Sequence, residues 1–456
     1  MYKKILIASL ALIAGLASCK KDDPTPSPNP PSTLTIDGVA SSLEFYQLDT
    51  AHLSVAGVAK DAAAKAVWAV NGAKAAEGAT FDFTTAHPGK YEVTLTVDGK
   101  SAKHTYTVAP RFSEGAFLLN EGNFGNETGS LTYIHPSKKL VIDQAYYRVN
   151  GTKLGNVCQD LAFGNDQVYI LSQLGPKNGG EGLLTIASSN SLEKVKVYND
   201  EALAQSTPTH IAVLRDHIYI RTERDGILRG SSEGGFTPIT GTKKALKQRM
   251  AQIGERLFAL TSDSKVLMIQ GAQVIRELNL SPAKPSGIAV SHDGKLWIST
   301  TSPNAILKVD PSPDNFVALG THILDKSISA TGSQSWERTT SSAFFAHGDK
   351  LYFTGQSSVI YCHDFATSKT SQVIDVKTID GVGTSANKYY NSLGVDPSTG
   401  ELYYAAFEDF STYSKKNVTM VLKADGTKLL LKEKVNSFPA GFYFIPNAAN
   451  RTGANR

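Results

Sequence analysis

The side chains best able to do chemistry in this chain are thinly spread. Its ten histidines are scattered, and no H-E-x-x-H, G-x-S-x-G, phosphate-binding G-x-x-x-x-G-K or cysteine–histidine zinc spacing occurs. His292 and His347 fall in turns, and His210 and His363 lie on or beside strands, where a satisfied structural role is expected. Asp396-Pro397-Ser398-Thr399-Gly400 fills a turn and lacks a second acidic neighbour, so it is turn chemistry rather than a metal loop. No catalytic residue, metal ligand or cofactor is expected. What does gather, in long loops, is a set of aromatics: Phe124, Trp336, Tyr389, Tyr390, Phe407, Phe410 and Tyr413. Amides accompany them: Asn123, Gln159, Gln173, Gln334 and Asn391. Flat aromatic faces beside neutral hydrogen-bonding groups suit a large, flat, mostly uncharged polar ligand, and these twelve residues are the candidate binding site. For each aromatic the alternative is packing between sheets or plugging a channel. The acids of the same loops are Glu121, Glu127, Glu337, Glu408 and Asp409, and two of them converging is what a hydrolase or lyase would require.

The elements that must hold these loops are short strands. Lys284 to Thr301 reads KPSGIAVSHDGKLWISTT, two apolar runs around Asp293-Gly294. Asp-Gly between such runs signals a β-hairpin, because these residues accept the positive φ of a tight turn. Five more copies begin at Gln159, Thr209, Arg249, Ser341 and Asn391. With the opening hairpin that makes six, whose second-strand aromatics are Tyr169, Tyr219, Phe258, Trp297, Tyr352 and Tyr403, spaced 50, 39, 39, 55 and 51 residues apart. A repeat of about 40–50 residues with four strands predicts a β-propeller.

A seventh copy is split. Gly115–Asn120 is a second strand without a first, and Phe438–Pro446 a first strand without a second. Joining them closes the ring and removes two exposed sheet edges. Third strands are expected at Ser130–His135, Leu183–Ala187, Ile227–Gly230, Val266–Gln270, Ala305–Asp310, Val359–His363 and Val418–Lys423. Fourth strands are expected to include Leu140–Tyr147, Glu193–Tyr198, Phe236–Thr240, Val274–Leu280, Phe316–Ile323, Thr370–Val376 and Leu429–Val435. In such a ring the links from second to third strand and from fourth to next first strand share one face, and the candidate residues all fall in or beside those links.

The expected fold class is all-β, a seven-bladed propeller at 111–447 behind a small sandwich at 34–110, with a tail at 448–456. The sandwich carries Val67–Gly72 and Gly89–Val97 as alternating strands and resembles PKD and immunoglobulin-like domains, with Trp68 in its core. Residues 1–18 read as an export signal: Lys3 and Lys4, then the apolar run Ile5–Leu16. Leu16-Ala17-Ser18-Cys19 resembles a bacterial lipoprotein signal, implying lipidation of Cys19 and membrane attachment. Lys20-Lys21-Asp22-Asp23 resembles the surface-export signal of Bacteroidota lipoproteins, and proline-rich Pro24–Ser32 makes residues 19–33 a stiff spacer. The formal charge of +4 offers no electrostatic footprint for nucleic acid. Cys158 and Cys362 fall on distant strands and are expected unbridged.

Gly115–Tyr133, GAFLLNEGNFGNETGSLTY, and Lys153–Phe163, KLGNVCQDLAF, resemble the YncE-like, BtuG-type propeller lipoproteins of Bacteroidota. The resemblance implies a non-catalytic protein on the outer membrane, facing outward. Its implied ligand is a scarce nutrient, first a corrinoid such as cobalamin, passed to a TonB-dependent transporter. The alternatives from other classes are a propeller hydrolase or lyase acting on a glycan or lactone, and an adhesion protein working through the sandwich.

Overall fold

The computed structural model describes residues 33–39, 44–326, 328, 344–354 and 357–446. The signal, Cys19 and the spacer as far as Ser32, together with Gln334, Trp336, Glu337 and the tail, lie outside the described residues.

The N-terminal part forms two sheets. Thr35–Asp37, Thr50–Ala56 and Thr80–Thr84 make a three-stranded sheet. Phe45–Tyr46, Val67–Val70, Ala73–Glu77, Gly89–Val97 and Lys100–Ala109 make a five-stranded one. Their inner faces hold alternate apolar residues, as period-2 patterning requires: Val93, Leu95 and Val97 are buried along one strand. Phe83 of the smaller sheet stacks on Tyr106 of the larger at 4.7 Å. Trp68 is fully buried, its indole N–H donating to the Gly78 carbonyl at 2.9 Å.

From Ala116 onward the described residues form seven four-stranded antiparallel sheets in sequence order, a β-propeller. The first sheet is assembled from both ends of the chain: Pro439–Phe444 pairs with Ala116–Asn120, with Phe442 opposite Leu118. Contacts between consecutive sheets run mostly first strand to first strand, which sets those strands around the axis. All six second-strand aromatics of the repeat are buried between sheets. Outermost strands such as Gln273–Asn279 are mostly exposed, which explains their weak apolar signal.

Third strands fall within a residue or so of expectation; the fourth strands deviate more, the one in the first sheet being cut to three residues and the one in the fifth starting at Ala318 rather than Phe316. The strand expected at Leu140–Tyr147 stops at Ile142, where Gln144 turns left-handed and a helix, Ala145–Asn150, follows. The helix wins because it buries Ala145, Tyr146 and Val149 in the core between the first two sheets. The strand expected to reach Val376 ends at Asp375, whose carboxylate caps a one-turn 3-10 helix through Lys377 N–H.

One irregularity recurs in the first strands. In the second sheet Cys158 faces Ser172 and Asp160 faces Leu171, so Gln159 is an extra, bulged residue. Thr209, Ser286 and Ala440 hold the corresponding place in the third, fifth and first sheets. A bulge turns its extra side chain out of the pleat and bends the strand.

Candidate functional site

A cavity of about 790 Å³ opens among the links that the hairpin repeat assigns to one face of the propeller. Its lining follows the chain order of the sheets. The seventh and first sheets contribute Phe410, Phe438, Phe124 and Asn123; the second, Val157, Gln159 and Gln173; the third and fourth, Arg221, Glu223, Lys243, Lys244, Lys247 and Ser262. It is therefore aromatic at one end, amide-bearing in the middle and basic at the other.

The aromatic end is built from a cluster. Phe410 stacks against Phe438 at 6.0 Å and meets Phe407 edge-on at 5.4 Å, while Tyr413 packs on Phe438 at 4.3 Å. Phe407 is fully buried behind this wall, whereas Phe410 is 39 % and Phe124 69 % exposed. The loop bearing Phe124 turns at Gly122, whose φ is +75° and where a Cβ would sit 2.4 Å from the Thr128 carbonyl oxygen, so only glycine fits. Asn123 donates to the Tyr413 hydroxyl at 3.4 Å, tying the two loops together.

The middle is set by the bulge. At the three equivalent places stand Thr, Ser and Ala; here stands a glutamine, only 2 % exposed, on the cavity wall. Its Oε1 is buried without a hydrogen-bond partner among the described residues. A buried acceptor left unpaired costs about 1–3 kcal/mol. Two residues earlier Val157 has φ 59°, a conformation that a β-branched side chain adopts only under constraint.

The basic end rests on one loop. Arg221 donates from Nε and Nη2 to the Ala245 carbonyl at 3.1 and 2.9 Å, and its Nη1 lies 3.0 Å from Glu223. Ser262 N–H donates to the Lys244 carbonyl, and Leu246 N–H to the Leu260 carbonyl. The lysines thus stand on backbone pinned to the fourth sheet. Lys244 pairs with Asp263 at 3.0 Å, while Lys243 is exposed and has no ion-pair partner among the described residues.

Beside the cavity a polar knot joins four sheets. Asp160, 1 % exposed, accepts from Tyr443 Oη at 2.7 Å, Ile211 N–H at 2.9 Å and Arg249 Nε at 3.2 Å. The Arg249 guanidinium lies over the Tyr443 ring at 3.9 Å and donates to the Phe442 carbonyl at 3.4 Å.

Of the twelve candidate residues, five line the cavity: Asn123, Phe124, Gln159, Gln173 and Phe410. Phe407 and Tyr413 form the layer behind. Tyr389 does not join them; it packs against Tyr404 at 5.8 Å, in the core of the sixth and seventh sheets. The backbone of Tyr390 and Asn391 belongs to the strand Lys388–Val395. Among the acids, Glu121 lines the cavity, Glu127 accepts from Ser437 at 3.0 Å, Glu408 pairs with Lys416 at 3.0 Å, and Asp409 accepts from Ser411. His210 and His363 are buried within hydrogen-bond reach of Thr209 and Thr370. Cys158 and Cys362 are free and buried. The sequence reading missed the lysine loop and Phe438. The run Lys243-Lys244-Ala245-Leu246-Lys247 was a usable signal, since it links a fourth strand to the next first strand.

Residues 114–446 match the profile of a family described as a domain of unknown function (DUF5074). No curated protein matches the chain. A quinoprotein alcohol dehydrogenase-like protein from Bacteroides thetaiotaomicron is similar in structure, with 16 % identity, a TM-score of 0.59, and coverage of 90 % of this chain and 98 % of that one. BamB from Moraxella catarrhalis gives 10 % identity, a TM-score of 0.42, and coverage of 72 % and 85 %. Virginiamycin B lyase from Staphylococcus aureus gives 12 % identity, 0.40, and 60 % and 83 %. At these identities the first likeness speaks to the fold alone.

Proposed function

The chain belongs to the DUF5074 family, and from that footing we propose that it is a non-catalytic ligand-capture protein, with a corrinoid such as cobalamin as its first candidate ligand. The observation that carries the proposal is the cavity: about 790 Å³, with exposed aromatic faces at one end and Gln159, Gln173 and Asn123 along its wall. That volume is in the range of small-molecule sites. Its chemistry suits a broad ring system edged with amides, the rings lying on Phe124 and Phe410 and the amides meeting the polar side chains of the cavity wall. The binding groups stand on strand ends and pinned loops, so little ordering cost opposes association. Lipidation at Cys19, display outward from the outer membrane and hand-over to a TonB-dependent transporter complete the proposal. They are supported by the signal-like N-terminus and the stiff spacer of the sequence.

Calorimetric titration of the mature protein with cyanocobalamin tests it, read beside the visible spectrum. Micromolar or tighter binding is expected. Phe410→Ala should weaken it about two- to tenfold, the worth of one aromatic face. Absence of both heat and spectral change at micromolar concentrations would remove the corrinoid from consideration.

A further inference from the structure

Resting on the reading of the cavity as a ligand site, we infer that Phe438 is a ligand-contacting residue that ties occupancy of the cavity to closure of the ring: a ligand on the aromatic wall holds the last strand shut. Phe438 lines the cavity and is half-buried. It directly precedes Pro439–Phe444, the strand that pairs with Ala116–Asn120 and completes the first sheet. Its ring is also the hub of the wall. The rings of Tyr413, Phe407 and Phe410 lie 4.3, 5.4 and 6.0 Å from it, centroid to centroid. Those three belong to the end of the strand Leu402–Phe407 and the loop after it. Without the closing strand the aromatic end of the cavity has no centre.

The backbone at this point is strained. Phe438 has φ 53°, in the left-handed region, and the residue before a proline is normally driven to an extended conformation. Among the described residues the apolar side chains held at such a φ are those of Leu48, Val157, Leu192 and Phe438, and Val157 and Phe438 both line this cavity. Such strain persists only where the surroundings over-determine it, and it clusters at ligand clamps. The surroundings here are the other end of the propeller chain. The Phe438 carbonyl accepts from Glu121 N–H at 2.8 Å, and the Ser437 carbonyl from Gly122 N–H at 3.3 Å. Ser437 donates from its N–H to Asn120 Oδ1 at 3.1 Å and from Oγ to Glu127 at 3.0 Å. The same stretch carries Asn123 and Phe124 into the cavity. Opening of the last strand therefore withdraws Phe438 and frees the Phe124 loop in one event. A ligand that binds the closed ring and not the opened one lowers the opened population by the factor 1 + [L]/Kd.

Hydrogen–deuterium exchange of the mature protein, with and without N-phenyl-1-naphthylamine, tests this. The dye is a neutral ring compound whose fluorescence reports its own binding, and Phe410→Ala should weaken it, which places it at the wall. In the free protein the closing strand should exchange faster than Arg256–Leu260, an inner strand of the fourth sheet, because it opens as a separate unit. With dye at about ten times its Kd, exchange of the closing strand should slow about tenfold. Gln273–Asn279, the outermost strand of the fourth sheet, frays by itself and should change less than about twofold. Phe438→Gly accepts the left-handed φ without strain, so it removes the ring and leaves the turn. It should weaken the dye about two- to tenfold, whereas Phe438→Tyr should stay within about twofold of the unaltered protein. A purely structural Phe438 predicts unchanged dye affinity in the folded glycine variant. Should that variant not fold, exchange in the unaltered protein decides alone. No dye binding, affinity indifferent to Phe438→Gly, a closing strand that exchanges no faster than Arg256–Leu260, or exchange there that the dye leaves unchanged would overturn the inference. Cyanocobalamin taken through the same protocol separates the two claims. Corrinoid binding without protection of the closing strand would refute the clasp only. Dye binding with that protection, but no corrinoid binding, would refute the corrinoid only.

Discussion

Replacing Asp160 with alanine should destabilise the propeller by about 3–5 kcal/mol, the usual cost of orphaning one member of a buried ion pair. The carboxylate accepts from Tyr443 Oη, Ile211 N–H and Arg249 Nε at 2.7, 2.9 and 3.2 Å. Hydrogen bonds to a charged group contribute about 1.5–3 kcal/mol each, so three of them set an upper bound well above the expected loss. The net cost is smaller because folding already spends desolvation energy on both ions. Arg249 would be left with its Nη2, already buried without a partner, and no counter-charge. The three donors come from the first sheet, the third sheet and the link into the fourth, and the acceptor from the second, so the loss falls on ring closure. Asp160→Asn should cost nearly as much: its amide oxygen still accepts, but the guanidinium stays uncompensated. Asp160→Leu combined with Arg249→Met should recover at least half of the single-variant loss, because an apolar pair removes both desolvation penalties. Urea midpoints at constant slope give these values. A loss below about 1 kcal/mol for Asp160→Ala, within the spread of ordinary point substitutions, would refute the ion-pair account.

The buried His363 ring, 3.3 Å from His322, should make the fold acid-sensitive near pH 6. Burial, then the neighbouring His322, holds its pKa below the ordinary 6.5. The unfolded chain therefore binds the proton more readily, stability is present above about pH 6.5 and falls as pH drops through that value, and His363→Gln should flatten the slope of melting temperature between pH 7 and 5. Two glycines separate conformational from steric cost. Gly294 has φ +71° with open space around its Cβ position, so Gly294→Ala should cost about 1–2 kcal/mol, the left-handed penalty alone. Gly122→Ala adds a clash with the Thr128 carbonyl and should cost more and displace the Phe124 loop, visible as weakened corrinoid binding. Deleting residues from Ser437 onward removes the partner of Ala116–Asn120 and should yield aggregating protein, read by light scattering.

The periodic part of this protein is local, and so it is written in the sequence. Asp293-Gly294 needs only its own φ angles to turn, and alternation along Leu296–Ile298 needs only the pleat to choose a buried face. Closure by Pro439–Phe444 on Ala116–Asn120 is legible for the same reason: each half lacks the partner that the repeat supplies elsewhere. The direction of an individual side chain is not local. Tyr389 and Phe410 both sit near loop aromatics in sequence, yet one packs on Tyr404 and the other faces the cavity. The bulge that turns Gln159 inward depends on a register against Ser172 and Leu171. Asp160 and Arg249, 89 residues apart, become a pair only when the sheets close around one axis. Sequence determined which strands exist and how the ends meet. Only the packed ring decided which side chains share a space, because register and sheet-to-sheet contact are properties of the whole closed assembly and of no single segment.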